Sequence, residues 1–123
     1  MHRSIIARSP QTEQFDWGEI TWFANGAIGN SKELTLGRCV IRPGMSNTLH
    51  EHPNTSEVLT VVSGTILHTT ETGEVELRAG DTITLPAGLP HRARNVGDCD
   101  AVLFIAYPTA YREFVVPQQS AAV

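Results

Sequence analysis

Apolar and polar residues alternate along most of this chain in short runs, and each run stops at a turn-forming residue. A period of two places successive side chains on opposite faces of an extended strand, whereas an amphipathic helix needs apolar residues at i, i+3, i+4 and i+7. No window keeps the helical spacing for three turns. The alternation predicts strands over residues 17–23, 34–42, 57–62, 65–70, 74–78, 82–85, 91–96 and 101–107. The turn signals that close them include Asn25-Gly26, Pro43-Gly44, Ser63-Gly64, Thr72-Gly73, Ala79-Gly80, Pro86-Ala87-Gly88, Gly97-Asp98 and Pro108. Eight or more short strands at this spacing predict an all-β sandwich or barrel. Residues 65–70 and 74–78 read as a hairpin whose tip, Glu71-Thr72-Gly73, offers a glycine for a positive φ. Residues 1–14 read as an arm with little structure and 117–123 as a frayed tail. No internal repeat suggests a second unit, so residues 1–123 are expected to form one domain.

Composition narrows the function classes. Apolar residues make up 41% and charged residues 18%, the balance of a globular chain and not of a disordered one. The net charge is −4, and the densest basic feature is Arg92 with Arg94. Nucleic-acid binding needs a concentrated basic face, so no nucleic-acid partner is expected. No apolar run approaches the ~20 residues of a membrane helix, and the first residues carry no apolar signal stretch. A cytoplasmic protein without a membrane partner is the expectation. The two cysteines, Cys39 in an apolar run and Cys99 in a turn, make no disulfide framework and no metal or redox motif. They read as two free thiols, one of them buried.

The histidines change the picture. His50-Glu51-His52 puts two imidazoles on one face of an extended segment, a pleat apart, close enough to share one ion at ~2.0–2.1 Å. Pro53-Asn54 supplies a turn, beyond which Glu57 opens a strand and shares a face with Leu59 and Val61. His91 follows Pro86-Ala87-Gly88-Leu89-Pro90, a bend that aims it inward from another strand. Each feature alone is ordinary: His-x-His in a strand is more often a surface pair, and a lone glutamate is usually solvated. Together they form a three-imidazole, one-carboxylate set suited to Fe, Mn, Ni, Zn, Co or Cu and poorly suited to calcium.

The segment Gly44-x5-His50-x-His52-x4-Glu57-x6-Gly64 resembles the first conserved motif of the cupin superfamily, and Gly80-x5-Pro86-x-Gly88-x2-His91-x3-Asn95 resembles the second. Residues 65–79 form the short spacer seen in small single-domain members. The motifs cover residues 44–95, under half of the chain. The resemblance implies an antiparallel double-sheet, jelly-roll-like barrel holding one divalent transition metal in its mouth, with His50, His52, Glu57 and His91 as ligands. It does not fix the activity, because cupins include dioxygenases, isomerases, lyases, decarboxylases, binding modules and storage proteins.

The intact ligand set favours a metal-dependent enzyme, a dioxygenase or a redox-neutral isomerase or lyase, acting on a small polar or anionic substrate. The alternative is a non-catalytic module that binds or senses a sugar or organic acid. Arg38 and Arg42 are candidates to clamp a substrate carboxylate, and Tyr107 is a candidate proton donor. All three also read as ordinary strand residues, Tyr107 and Tyr111 as packing ones. Strand parity leaves open whether His68 faces the interior. Asn95 reads as a turn-stabilising residue and not a ligand. A homodimer is expected. Exposed sheet edges invite pairing, and the arm and the aromatic strand with Trp17, Trp22 and Phe23 have little room in one small barrel.

Overall fold

The computed structural model of the protein describes residues 4–117. Nine strands lie among them: β1 (Gln11–Phe15), β2 (Gly18–Ala24), β3 (Thr35–Ile41), β4 (Glu57–Ser63), β5 (Thr65–Thr70), β6 (Gly73–Arg78), β7 (Thr82–Leu85), β8 (Arg92–Asn95) and β9 (Ala101–Tyr107). Every pairing is antiparallel. One sheet has the order β1-β2-β3-β9-β4-β7 and the other β6-β5-β8. The fold is therefore all-β, two antiparallel sheets in a jelly-roll-like arrangement, as the alternation predicts.

The alternation sets which residues enter the space between the sheets. On β3, Thr35, Gly37, Cys39 and Ile41 face inward; on β9, Ala101, Leu103, Ile105 and Tyr107; on β4, Glu57, Leu59 and Val61. The small sheet contributes Ile66, Leu77 and Ala93 to the same core. Gly64 alone joins β4 to β5 and so carries the chain from the large sheet to the small one. Its φ of +87° is open to glycine, and an added Cβ would lie 2.8 Å from the Ala101 Cα.

Three expectations from the sequence need correction. The proposed N-terminal arm is partly a strand: residues 11–14 pair with β2 in the register Gln11↔Trp22 to Gln14↔Glu19. Every β1 residue is exposed, so no apolar alternation announced it and backbone pairing forms it. The aromatic strand does have room in the core. Trp22 is 5% exposed, and Gly37 on the neighbouring strand leaves space for its ring, since a Cβ there would stand 2.6 Å from an indole carbon. The strand expected over 91–96 starts one residue late, His91 making a single bridge with His50. Of the expected tail, Pro117 is irregular and residues 118–123 lie outside the described part.

Candidate metal centre

His50 and His91 are tied to each other through their backbones. The His50 amide donates to the His91 carbonyl (3.1 Å), and the His91 amide donates to that of His50 (2.8 Å). One residue on, Glu51 makes the same reciprocal pair with Val115 at 2.9 and 3.0 Å. The segment after β9 thus runs beside the His50-Glu51-His52 strip and pins its two inward imidazoles. Asn54 strengthens the seam: its side chain donates to the Tyr111 carbonyl (2.9 Å) and accepts from the Glu113 amide (2.8 Å). Gly88, at φ +77°, donates its amide to the His52 carbonyl and so docks the bend before His91 against the strip.

All three imidazoles are held the same way. Nδ1 lies 2.6 Å from the Thr48 carbonyl in His50, 2.8 Å from the Glu113 carbonyl in His52, and 2.8 Å from the Leu89 carbonyl in His91. A carbonyl only accepts, so each Nδ1 carries the proton and the Nε2 lone pair of a neutral ring points into the cavity. This backbone anchoring fixes tautomer and ring orientation, as metal-binding histidines require. Glu57 comes from the start of β4, its side chain 4% exposed.

One ligand atom from each of His50, His52, Glu57 and His91 lies within 4.8 Å of every other. Glu57 Oε1 stands 3.0 Å from His52 Nε2 and 3.4 Å from His91 Nε2. None of these three buried atoms has a hydrogen-bond partner. Unpaired acceptors converging in a dry place repel one another, and a cation among them removes the conflict. The residues therefore fit a divalent metal, and three nitrogens with one oxygen match a transition ion.

Without an ion, protons on the imidazoles beside the carboxylate take the cation's place. Burial pushes the Glu57 carboxyl upward, but His52 and His91 beside it outweigh that and hold it well below the usual carboxylate range. Burial, aided by the charge of His91, lowers His50 to about 4, so this ring stays neutral near pH 7. Burial also opposes protonation of His91, yet the neighbouring Glu57 prevails and raises its pKa.

The four residues line a cavity of about 380 Å³ between the sheets. Its walls are largely apolar, with Phe15, Ile20, Leu59, Leu103, Ile105 and Phe114 prominent. Tyr107 is 3% exposed and lines the cavity with its ring centroid 4.9 Å from that of His52. Burial, and then the charge of Glu57, push its phenol well above the ordinary value. It keeps its proton and can donate a hydrogen bond. Arg38 and Arg42 do not reach this place. Arg38 has the outward parity of β3 and lies over Phe23, 5.5 Å from the ring centroid. Arg42 falls in the exposed turn after β3. Neither lines the cavity, which corrects their expected role as a clamp inside it.

Several lining residues have no assigned role from the sequence, and two of them carry chemistry of their own. His68 is 1% exposed and faces inward on β5; its shared parity with Ile66 was the available signal. Arg112 enters the cavity from the segment after β9, and a segment held by one bridge and by side-chain bonds to Asn54 and His52 gives no periodicity to read. Asn95 behaves as expected: its side chain donates to the Ile41 and Cys99 carbonyls and accepts from the Gly97 amide, each at 2.8 Å. Both cysteines are free, Cys39 buried and Cys99 exposed. Burial, then Glu57, push the Cys39 thiol up to about 12, so it stays unreactive in the wall. No helix among the described residues is long and apolar enough to cross a membrane.

Known proteins resemble this chain in sequence and in fold. The family model described as "Cupin domain" matches residues 37–107. An uncharacterised protein of Methanocaldococcus jannaschii is 29% identical over 75 residues, 60% of each chain. An auxin-binding protein of Prunus persica is 36% identical over 83 residues, 63% of this chain and 40% of its own length. A germin-like protein of Oryza sativa subsp. japonica is 34% identical, with 63% and 37% covered. The matches thus span less than two thirds of these relatives. Among solved structures, a mutant oxalate decarboxylase of Bacillus subtilis superposes with a TM-score of 0.80 at 22% identity, over 86% of this chain and 29% of its own. A formate complex of the Lactobacillus farciminis enzyme gives 0.80 at 18% identity, over 87% and 33%. At such identities the superposition establishes a shared fold, and the family match joins to it the two motifs whose histidines and glutamate converge here: the chain belongs to the cupin family.

Proposed function

We propose that the protein is a metal-dependent enzyme of small-molecule chemistry, binding one divalent transition ion through His50, His52, Glu57 and His91. The observation that carries this reading is the convergence of unpartnered Nε2 and Oε1 atoms on a cavity with room for a small molecule. Four protein ligands leave up to two octahedral positions for substrate or water. A bound ion would polarise a substrate oxygen or engage O₂, depending on its identity. Manganese is one of the fitting metals, and Mn(II) centres are named for the Bacillus subtilis oxalate decarboxylase that shares the fold.

The chain's own residues supply the rest. Glu57 contributes the one negative charge, the three anchored imidazoles hold their geometry without reorganisation, and the apolar walls exclude water. Tyr107 keeps its proton and would donate a hydrogen bond to Glu57 or to an oxygen bound beside it. Two chemistries suit this set: O₂-dependent oxidation, and redox-neutral isomerisation or lyase chemistry.

Elemental analysis of protein purified without added metal, followed by oxygen uptake with panels of keto acids, sugars and catechols, tests the reading. Iron with oxygen uptake identifies a dioxygenase. Manganese, zinc or nickel with conversion but no uptake identifies an isomerase or lyase. Tight ligand binding with no conversion makes the protein a binding or sensing module, and loss of the folded state on metal removal makes the site structural.

A further inference from the structure

The cavity carries a cation and an imidazole that the metal centre does not use. The Arg112 guanidinium lies over three rings, 4.3 Å from the centroid of Trp22, 5.4 Å from that of Tyr107 and 5.9 Å from that of Phe114. Tyr107 in turn lies against His52, and Phe114 stacks on His50 with centroids 4.8 Å apart. Among the described residues, Arg112 is the one arginine or lysine lining the cavity. Among the described residues no carboxylate pairs with it. The rings hold its flat face and leave its N–H fork free.

His68 is the second feature. It is 1% exposed, and neither of its nitrogens has a hydrogen-bond partner. Its ring lies nearly parallel to that of His91, at 16° and 5.7 Å between centroids. A fully buried imidazole without partners costs stability unless a molecule in the cavity supplies them.

The remaining lining defines what that molecule is. Asn47 already uses its side-chain oxygen to accept from the Ala93 amide, while Glu13, Thr48 and Tyr107 also line the cavity. The walls are nonetheless mostly apolar, which disfavours the many hydroxyls of a sugar, and a single fork is a poor match for the dense charge of a phosphate ester. The volume of about 380 Å³ lies toward the small end of ligand pockets, which run from ~300 to ~1,000 Å³, and leaves room for one ring with a short acidic arm.

We infer that the ligand is a small monocarboxylate with an apolar, ring-sized body, its carboxylate held by Arg112 and a polar atom of the same molecule hydrogen-bonded by His68. The inference rests on the cavity being the ligand site of a metal-loaded protein, and it is independent of turnover.

The test uses zinc-loaded protein and calorimetric titration with phenylacetate, phenylacetamide, phenyl phosphate and glucose. Phenylacetate is expected to bind with the highest affinity. The metal also attracts the acid, so the decisive quantity is the preference for acid over amide in Arg112→Gln against the unaltered chain. Loss of one charge-assisted hydrogen bond should reduce that preference about ten- to hundredfold. Arg112→Lys should keep part of it. A ring-hydroxylated phenylacetate should bind more tightly than phenylacetate, and His68→Leu should remove that gain with zinc content unchanged. No binding of phenylacetate, tighter binding of the phosphate or of glucose, or an unaltered acid preference in Arg112→Gln would each overturn the inference. Selective binding without conversion of any substrate leaves it standing and removes the enzyme reading; efficient conversion of neutral sugars does the reverse.

Discussion

His52 Nε2 and Glu57 Oε1 face each other across 3.0 Å, both buried. His52 and His91 beside it hold Glu57 ionised, and Glu57 in turn raises the pKa of His91, so the carboxylate serves a metal ion when one is bound and protonated imidazole when none is. This predicts a double loss for Glu57→Gln. The amide carries no charge to offer either partner. Metal content after dialysis should fall at least about tenfold, in line with the loss of a strong charged contact. The melting temperature of the chelator-treated variant should fall below that of the chelator-treated parent, because the ionised carboxylate and the histidines beside it stabilise each other in the fold. A parent that binds no metal, or a variant that keeps full occupancy, would contradict the assignment.

His91→Ala separates binding from folding in another way. The His50–His91 pairing runs through the backbone, which alanine preserves, and the core around Ile41, Ile66, Leu103 and Val61 does not include the ring. Metal occupancy measured by elemental analysis should drop sharply. The β-rich circular dichroism should stay nearly unchanged.

Acidification should strip the metal, because protons compete for the Nε2 lone pairs. The metal-free fold has its own pH dependence. The folded pKa values of His50 and His68 are lowered to about 4 from an ordinary value of ~6.5, so the unfolded chain binds protons more readily. Their contribution to stability is whole above about pH 6.5, declines as the pH falls toward about 4 and then levels off. His91, whose pKa is raised, works in the opposite sense. Two lowered groups against one raised should leave a net loss, seen as a falling melting temperature of chelator-treated protein between neutral pH and about pH 4. His68→Leu should flatten that fall. It should also raise stability at neutral pH by about 1 kcal/mol or more, since an unpartnered buried polar group is replaced by an apolar one. A variant with lower stability would show that His68 is satisfied within the fold.

The metal residues were legible only in combination: each local feature is ordinary alone, and the two cupin-like motifs join them into one set. The i, i+2 histidines need only an extended backbone, Glu57 shares parity with Leu59 and Val61, and the proline-glycine bend announces His91. The same parity argument failed for Arg38, because an apolar run such as 34–42 has side chains on both faces and the sequence does not say which is interior. Gly37, Cys39 and Ile41 are inward, so Arg38 is outward. Arg112 and Phe114 were illegible for a different reason. They reach the site through one long-range bridge, Glu51↔Val115, and such pairings are set by tertiary packing. Strand β1 was missed because all of it is exposed, which leaves no hydrophobic pattern to detect.

The expected homodimer can be given a surface different from the one the sequence suggested, since Trp22 is consumed by the core. On the outer face of the large sheet, Leu36 is 39% exposed, Val58 40% and Phe104 39%. The register places them together: Leu36 and Val58 flank Ala106 on opposite sides, and Phe104 lies between Arg38 and Thr60. Val40 and Val102, paired with each other, extend the row. A continuous apolar row on a sheet face is what a two-fold association would cover, and such association is the commonest oligomer symmetry. Light scattering at micromolar concentration should therefore give twice the chain mass of 13.4 kDa. Phe104→Glu, which places a charge at the centre of the row and leaves the inward side of β9 untouched, should give the monomer mass with metal occupancy retained. The parent chain running as a monomer would remove the dimer. A dimer that survives Phe104→Glu would move the interface elsewhere, with the exposed edge at β1 the next place to test.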